Sequence, residues 1–148
     1  MISSDMWCTP RWLVEYIEEF NGGPTVGAST EWFGPPHEDG LVLPWNGLGL
    51  VFVNPPYSRG QLAKWTAKMT TNAALGTEII GLVPVATSTG WWQAMAPHCD
   101  AILFLAKRVR FVGPANGSPR FDSAICYWGA CRYRFADSLG SLGWVVLP

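Results

Sequence analysis

The sequence predicts an α/β domain with a mostly parallel sheet, helices on both of its faces, and an antiparallel hairpin toward the C-terminus. Three observations carry that expectation. LGLVFV (48–53), EIIGLVP (78–84) and DAILFL (100–105) are strand-length apolar runs without polar alternation, the pattern of strands buried on both faces. Helical periodicity fills the stretches between them, and strands alternating with helices point to parallel pairing. The last third changes character: RVRFV (108–112) and FDSAICYW (121–128) flank a GPANGSPR linker with an Asn116-Gly117 turn signal, which reads as an antiparallel pair.

The elements follow in order. Thr9-Pro10 opens a helix, with Thr9 as N-cap and Pro10 at the first helical position. Trp12, Leu13, Tyr16, Ile17 and Phe20 share one face, and Gly22-Gly23 ends it. PTVGAS (24–29) reads as a first strand, and TEWFGPPHEDGL as loop. After LGLVFV, Ser58-Arg59-Gly60-Gln61 has the capping-box pattern, and Leu62, Trp65 and Met69 continue at helical spacing. TGWWQAMAPH (89–98) is a short helix between the second and third apolar runs. CRYRFA and GWVVLP read as short edge strands.

A chain of 148 residues suits one domain, here taken as residues 1–148. Apolar residues make up 49% and charged residues 14%, which argues against disorder, and no apolar stretch approaches the roughly 20 residues that span a bilayer. No secretory layout is visible at the start, so the expected location is cytoplasmic. Cys8, Cys99, Cys126 and Cys131 form no CxxC pair and have no histidine cluster nearby. Reduced packing thiols are expected, and no metal site. His37 and His98 lack spaced partners, Ser88 has no triad context, and Trp91-Trp92 suits either a cleft wall or helix packing. The net charge is −1, yet Lys107, Arg108, Arg110, Arg120, Arg132 and Arg134 fall in one segment whose only acid is Asp122. The local charge of about +5 suits a phosphate-facing surface or a solvated face.

VFVNPPYSRG (51–60) carries the chemistry. In open α/β sheets ligands bind at the carboxyl ends of strands, where Asn54-Pro55-Pro56-Tyr57 falls. Each proline restricts its own backbone and disfavours helix in the residue before it, so the Asn54 and Pro55 carbonyls are presented from a stiff frame. The exocyclic amine of adenine or cytosine has a lone pair delocalised into its ring and two N–H donors. An Asn54 side-chain oxygen and the Pro55 carbonyl can accept those hydrogens and aim the lone pair at an electrophilic methyl group by orientation and electrostatics, without a strong base. Tyr57 supplies an aromatic face for a base taken out of its stack. The plainer alternative is a Pro-Pro turn with Tyr57 as packing.

WCTPRWL, EDGLVLPW, VFVNPPYS, GLVPVATSTGWW, FLAKRVRF and FDSAICYW, in that order, resemble the phage-type Dam DNA N6-adenine methyltransferases over roughly Trp7 to Trp128. NPPY is shared by amino-group methyltransferases at large; the ordered set is more specific. The resemblance implies a Rossmann-like S-adenosylmethionine (SAM)-dependent methyltransferase fold, SAM as cofactor and DNA as partner. It also implies a monomer or homodimer, encoded by a phage or prophage within a bacterial host.

Carried over by position, the resemblance makes Asn54, Pro55, Pro56 and Tyr57 the catalytic motif. Thr9 and Pro10 line the SAM pocket, where a helix N-terminus suits the cofactor's carboxylate. Asp39 contacts the cofactor's adenine amine. Lys107, Arg108, Arg110 and Arg120 face DNA, with Phe111 completing an RxRF-like segment. Family members usually carry an aspartate in the first strand; this chain places Thr25 there, which brings a hydrogen bond but no charge. Ala28 leaves room for the cofactor, and Glu31 is the candidate to compensate. Two other readings follow: a family member that binds DNA or SAM weakly as an accessory protein, and an amino methyltransferase acting on RNA or on protein glutamine.

Overall fold

The computed structural model describes residues 8–26, 40–47, 49–112 and 121–148. Among them a five-stranded sheet is formed by β1 (Val51–Val53), β2 (Ile79–Pro84), β3 (Ala101–Leu105), β4 (Ser123–Trp128) and β5 (Gly143–Val146), in the order β1-β2-β4-β3-β5. Only β1 and β2 are parallel neighbours; β2–β4, β3–β4 and β3–β5 are antiparallel. The sheet is therefore mixed and mostly antiparallel, against the expected mostly parallel one. Uninterrupted apolar runs report burial on two faces and carry no information about direction, and β4 returns between β2 and β3. Because β4 opposes both, β1, β2 and β3 still point the same way, and their carboxyl ends meet at one edge.

The expected hairpin does not form. Both edges of β4 are taken, so residues 108–112 leave the sheet as an extended segment that exposes Arg108, Arg110 and Val112 and buries Val109 and Phe111. Val112 instead bridges Cys8 antiparallel, through Cys8 N–H to the Val112 carbonyl (2.6 Å) and the reverse bond (2.9 Å). Of PTVGAS, Val26 bridges Val51 in parallel; residues 27–29 lie outside the described residues.

Helices cover both faces. α1 (Arg11–Asn21) buries Leu13, Ile17 and Phe20, while Trp12 stays exposed with its ring edge-on to Tyr16. Pro10, extended at φ −64° and ψ 147°, is its N-cap, so Thr9 lies one residue outside the cap and its hydroxyl turns elsewhere. α4 (Arg132–Leu139) replaces the edge strand expected at CRYRFA. The arginine–aromatic alternation imitates a strand, but Phe135 and Leu139, four apart, are the residues it buries. α1 and α4 cover the face where Phe20, Tyr127 and Phe135 pack: Tyr127 stacks on Phe135 at 5.0 Å and Phe20 meets both edge-on.

The opposite face holds α2 (Gln61–Ala74) and α3 (Gly90–Met95), continued by a 3-10 turn at Ala96–His98. The capping box is not made: residues 58–60 form a turn, and Gly60, at φ 81°, is the N-cap. Met69 of α2 packs so closely over Gly81 of β2 that a Cβ there would lie 2.8 Å from its sulfur. Thr89 caps α3 by accepting from the Trp92 N–H at 3.4 Å. Trp92 is buried on this face and Trp91 packs against it, which makes both helix packing rather than a wall of the NPPY cleft. Lys68 on α2 anchors residues 40–45: its ammonium donates to the carbonyls of Gly40 (2.8 Å), Leu41 (3.0 Å) and Leu43, and lies over the Trp45 ring at 4.8 Å.

All four cysteines carry free thiols. Cys99 and Cys126 are buried, and a hydrogen bond from the Cys126 thiol to Cys99, together with burial, pushes the Cys126 thiol well above its ordinary range.

Candidate active site

The site begins where β1 ends. Val53 is the last residue of β1, and Asn54, Pro55 and Pro56 follow it as buried, non-repetitive backbone. Asn54 is 6% exposed, and its Nδ2 donates to the Thr9 hydroxyl at 3.2 Å. The bond places the amide nitrogen toward Thr9. A buried polar side chain needs such partners to be tolerated, which accounts for Thr9 serving Asn54 and not the α1 cap. The first turn of α1 consequently has no side-chain cap, and its amino end lies beside Asn54.

Tyr57 reaches across the sheet edge. Its ring meets Phe111 edge-on at 6.0 Å and Phe121 at 5.4 Å, and its hydroxyl donates to the Leu82 carbonyl on β2 at 3.4 Å. Burial pushes its phenol well above the ordinary range, so the side chain stays neutral and is no proton acceptor. Phe111 was legible in the RxRF-like segment. Phe121 reads from sequence as a strand residue of FDSAICYW, and its signal is an aromatic placed just before a buried strand. The Val85 N–H, which donates to the Asp122 carbonyl at 2.8 Å, ties that aromatic to the end of β2.

A ring of contacts thus closes the site. Asn54 bonds Thr9, Cys8 beside Thr9 bridges Val112, and Phe111 beside Val112 packs on Tyr57. Segments far apart in sequence meet at the common carboxyl edge of β1, β2 and β3.

The other expected residues distribute as follows. Pro10 sits beside Asn54's partner. Thr25 does not join it: with Val26 opposite Val51, Thr25 lies level with Leu50, four residues before Asn54 along the strand. Ala28, Glu31, Asp39 and Arg120 lie outside the described residues, as does His37. Lys107, Arg108 and Arg110 are exposed beyond β3, on the site's side. Arg108 pairs with Asp122 at 3.3 Å, both side chains being more than half exposed, so the one acid of the basic segment is spent on its neighbour. Such an exposed pair contributes little to stability. Two described cations of the segment lie elsewhere: Arg134 packs its guanidinium over Phe20, at the far end of α1, and Arg132 sits against Tyr133. The single phosphate-facing surface suggested by composition is therefore divided between two ends of the molecule.

An α/β sheet whose carboxyl edge presents a buried Asn-Pro-Pro-Tyr among aromatic rings is consistent with a methyltransferase-family domain. The chain belongs to the DNA N-6-adenine-methyltransferase (Dam) family, whose model matches residues 2–126. No curated protein and no solved structure matches the chain. Membership implies DNA adenine methylation, a DNA substrate and a typically SAM-dependent reaction. Among the described residues no helix is long and apolar enough to cross a membrane.

Proposed function

We propose that this chain transfers a methyl group from SAM to the N6 amine of a flipped adenine in DNA, with Asn54, Pro55 and Tyr57 at the reacting base. The observation that carries the reading is the Asn54 amide, buried at the sheet edge and set by Thr9, next to a tyrosine ring framed by Phe111 and Phe121. Asn54 Oδ1 and the Pro55 carbonyl accept the two N–H groups of the amine, which favours a pyramidal nitrogen and fixes the direction of its lone pair. The two prolines hold those acceptors with little freedom to lose, so the orientation exists before the base arrives. Tyr57 stacks on the base and offsets part of the cost of extracting it. It does so as a neutral ring, and the mechanism calls on no strong base. The proton released from the methylated amine passes to water.

SAM supplies the electrophilic methyl group when bound. The residues around Asn54 fit it: the uncapped first turn of α1 offers N–H donors of the kind a carboxylate takes, with Thr9 and Pro10 at its entrance. Lys107, Arg108 and Arg110 then meet the phosphates flanking the extruded nucleotide. Thr25 supports a second reading, an accessory protein that holds DNA and binds SAM poorly, because it brings no negative charge to the first strand.

Purified protein incubated with tritiated-methyl SAM and unmethylated duplex DNA, then digested to nucleosides, separates the two. Label in N6-methyladenine that disappears with Asn54→Ala supports the enzyme. DNA binding without label at saturating SAM refutes it and leaves the accessory reading; calorimetry with SAM tests the Thr25 pocket directly.

A further inference from the structure

We infer that the hydroxyl of Ser123 hydrogen-bonds a ring nitrogen of the extruded adenine, an inference that rests on the methyl-transfer reading above. Ser123 is the first residue of β4 and is 1% exposed, yet its Oγ has no hydrogen-bond partner among the described residues. A hydroxyl removed from water and left unpaired is disfavoured, so a ligand acceptor brought to it would be favoured.

Its position says which partner. Side chains alternate along a strand, so Ser123 shares a face with Ile125 and Tyr127, the face on which α1 and Tyr57 pack. Asn54 points to the same side, since it bonds Thr9 at the head of α1. β2 alone separates β1 from β4, so two interstrand spacings, about 10 Å, lie between the strands that carry Asn54 and Ser123. Tyr57 bridges that interval, its hydroxyl on Leu82 of β2, and Phe121, two residues before Ser123, packs on its ring. Ser123 therefore borders the aromatic group on the side away from Asn54. A base stacked on Tyr57 with its amine held at Asn54 directs other atoms of its ring toward β4. Adenine's ring nitrogens are acceptors without a proton, and a serine hydroxyl supplies the missing donor. Asn54 and Pro55 recognise an amine, which cytosine also has; a donor at the far side of the ring adds discrimination for the purine.

The test compares wild type with Ser123→Ala on duplexes whose target adenine is intact or has N1, N3 or N7 replaced by carbon. The alanine variant is expected to lose about tenfold in kcat/KM on adenine, with unchanged SAM binding and a melting temperature no lower than wild type. One of the three analogues is expected to cost the wild type a similar factor and to cost Ser123→Ala nothing further. Ser123→Cys, of similar size with a weaker donor, provides the same comparison should the alanine variant fold poorly. Wild type that labels adenine while Ser123→Ala matches it within about twofold overturns the inference alone, as do analogue penalties that persist undiminished in the variant. Wild type that leaves no label in N6-methyladenine overturns both readings.

Discussion

Replacing Thr9 by valine removes one oxygen and keeps the branched shape. In the native site that oxygen accepts from Asn54 Nδ2 at 3.2 Å, in a partly buried setting between neutral groups. A hydrogen bond of this kind contributes about 1 kcal/mol net, and up to about 1.5. Since the bond helps hold the Asn54 amide in place, its loss is expected to loosen the acceptor that the proposed substrate amine needs. A barrier increase of that size slows turnover by roughly five- to thirteenfold. The assay is methyl transfer to duplex DNA at saturating SAM, with DNA affinity measured alongside and expected to hold. Thr9→Ser keeps the hydroxyl and should retain most of the wild-type rate. A Thr9→Val protein within twofold of wild type, or a Thr9→Ser protein as slow as Thr9→Val, refutes the role given to this contact.

Lys68→Met removes an ammonium that holds three carbonyls and the Trp45 ring; it should cost about 2–4 kcal/mol and lower the melting temperature by roughly 5–15 °C, read by calorimetry. Arg110→Ala should weaken DNA binding on every sequence and reduce the slope of log affinity against log salt by about 1, whereas Arg108→Ala, already paired with Asp122, should do less; anisotropy titrations at several salt concentrations distinguish them. Burial and the bond to Glu78 push the Tyr127 hydroxyl upward, as burial does for Tyr57. Above about pH 10 the unfolded chain loses these phenol protons while the native chain keeps them, so the unfolded state binds fewer and stability falls as pH rises. Urea midpoints at about pH 8 and about pH 11 should drop less for Tyr127→Phe than for wild type, and an equal drop contradicts the assignment.

What could be read from the residues alone follows physical lines. The apolar runs at 48–53, 78–84 and 100–105 and the periodicity after Gly60 locate β1, β2, β3 and α2, because burial and helical spacing are local properties of composition. Pairing direction is not local. FDSAICYW is as apolar as its neighbours, and nothing in it states that it inserts between β2 and β3 and so denies residues 108–112 an edge. Arg132 to Phe135 misled for the opposite reason: a four-residue alternation is too short to outweigh the spacing of Phe135 and Leu139. At the site, Asn54 to Tyr57 stood out through the rigidity of two prolines and the chemistry of an amide beside an aromatic ring. Thr9's attachment to Asn54, Phe121's place beside Tyr57 and the isolation of the Ser123 hydroxyl all depend on contacts between distant segments. No periodicity encodes them.

The strand order also bears on how the molecule comes into being. β2 and β3 never touch as neighbours; Ser123–Trp128 joins them, pairing Gly81 with Cys126 and Ile102 with that same cysteine. A chain emerging from the ribosome can pair β1 with β2 but must wait for residues 123–128 before β3 finds its place, and contacts of such long sequence separation form slowly. The part of the edge that carries Phe121 is therefore not in place until residues 123–128 have inserted between β2 and β3. A nascent chain stalled before Ser123 has its Asn-Pro-Pro-Tyr turn but no β4 to hold Phe121 against Tyr57. The insertion of β4 that completes the sheet is thus also what completes the aromatic frame beside the Asn-Pro-Pro-Tyr turn.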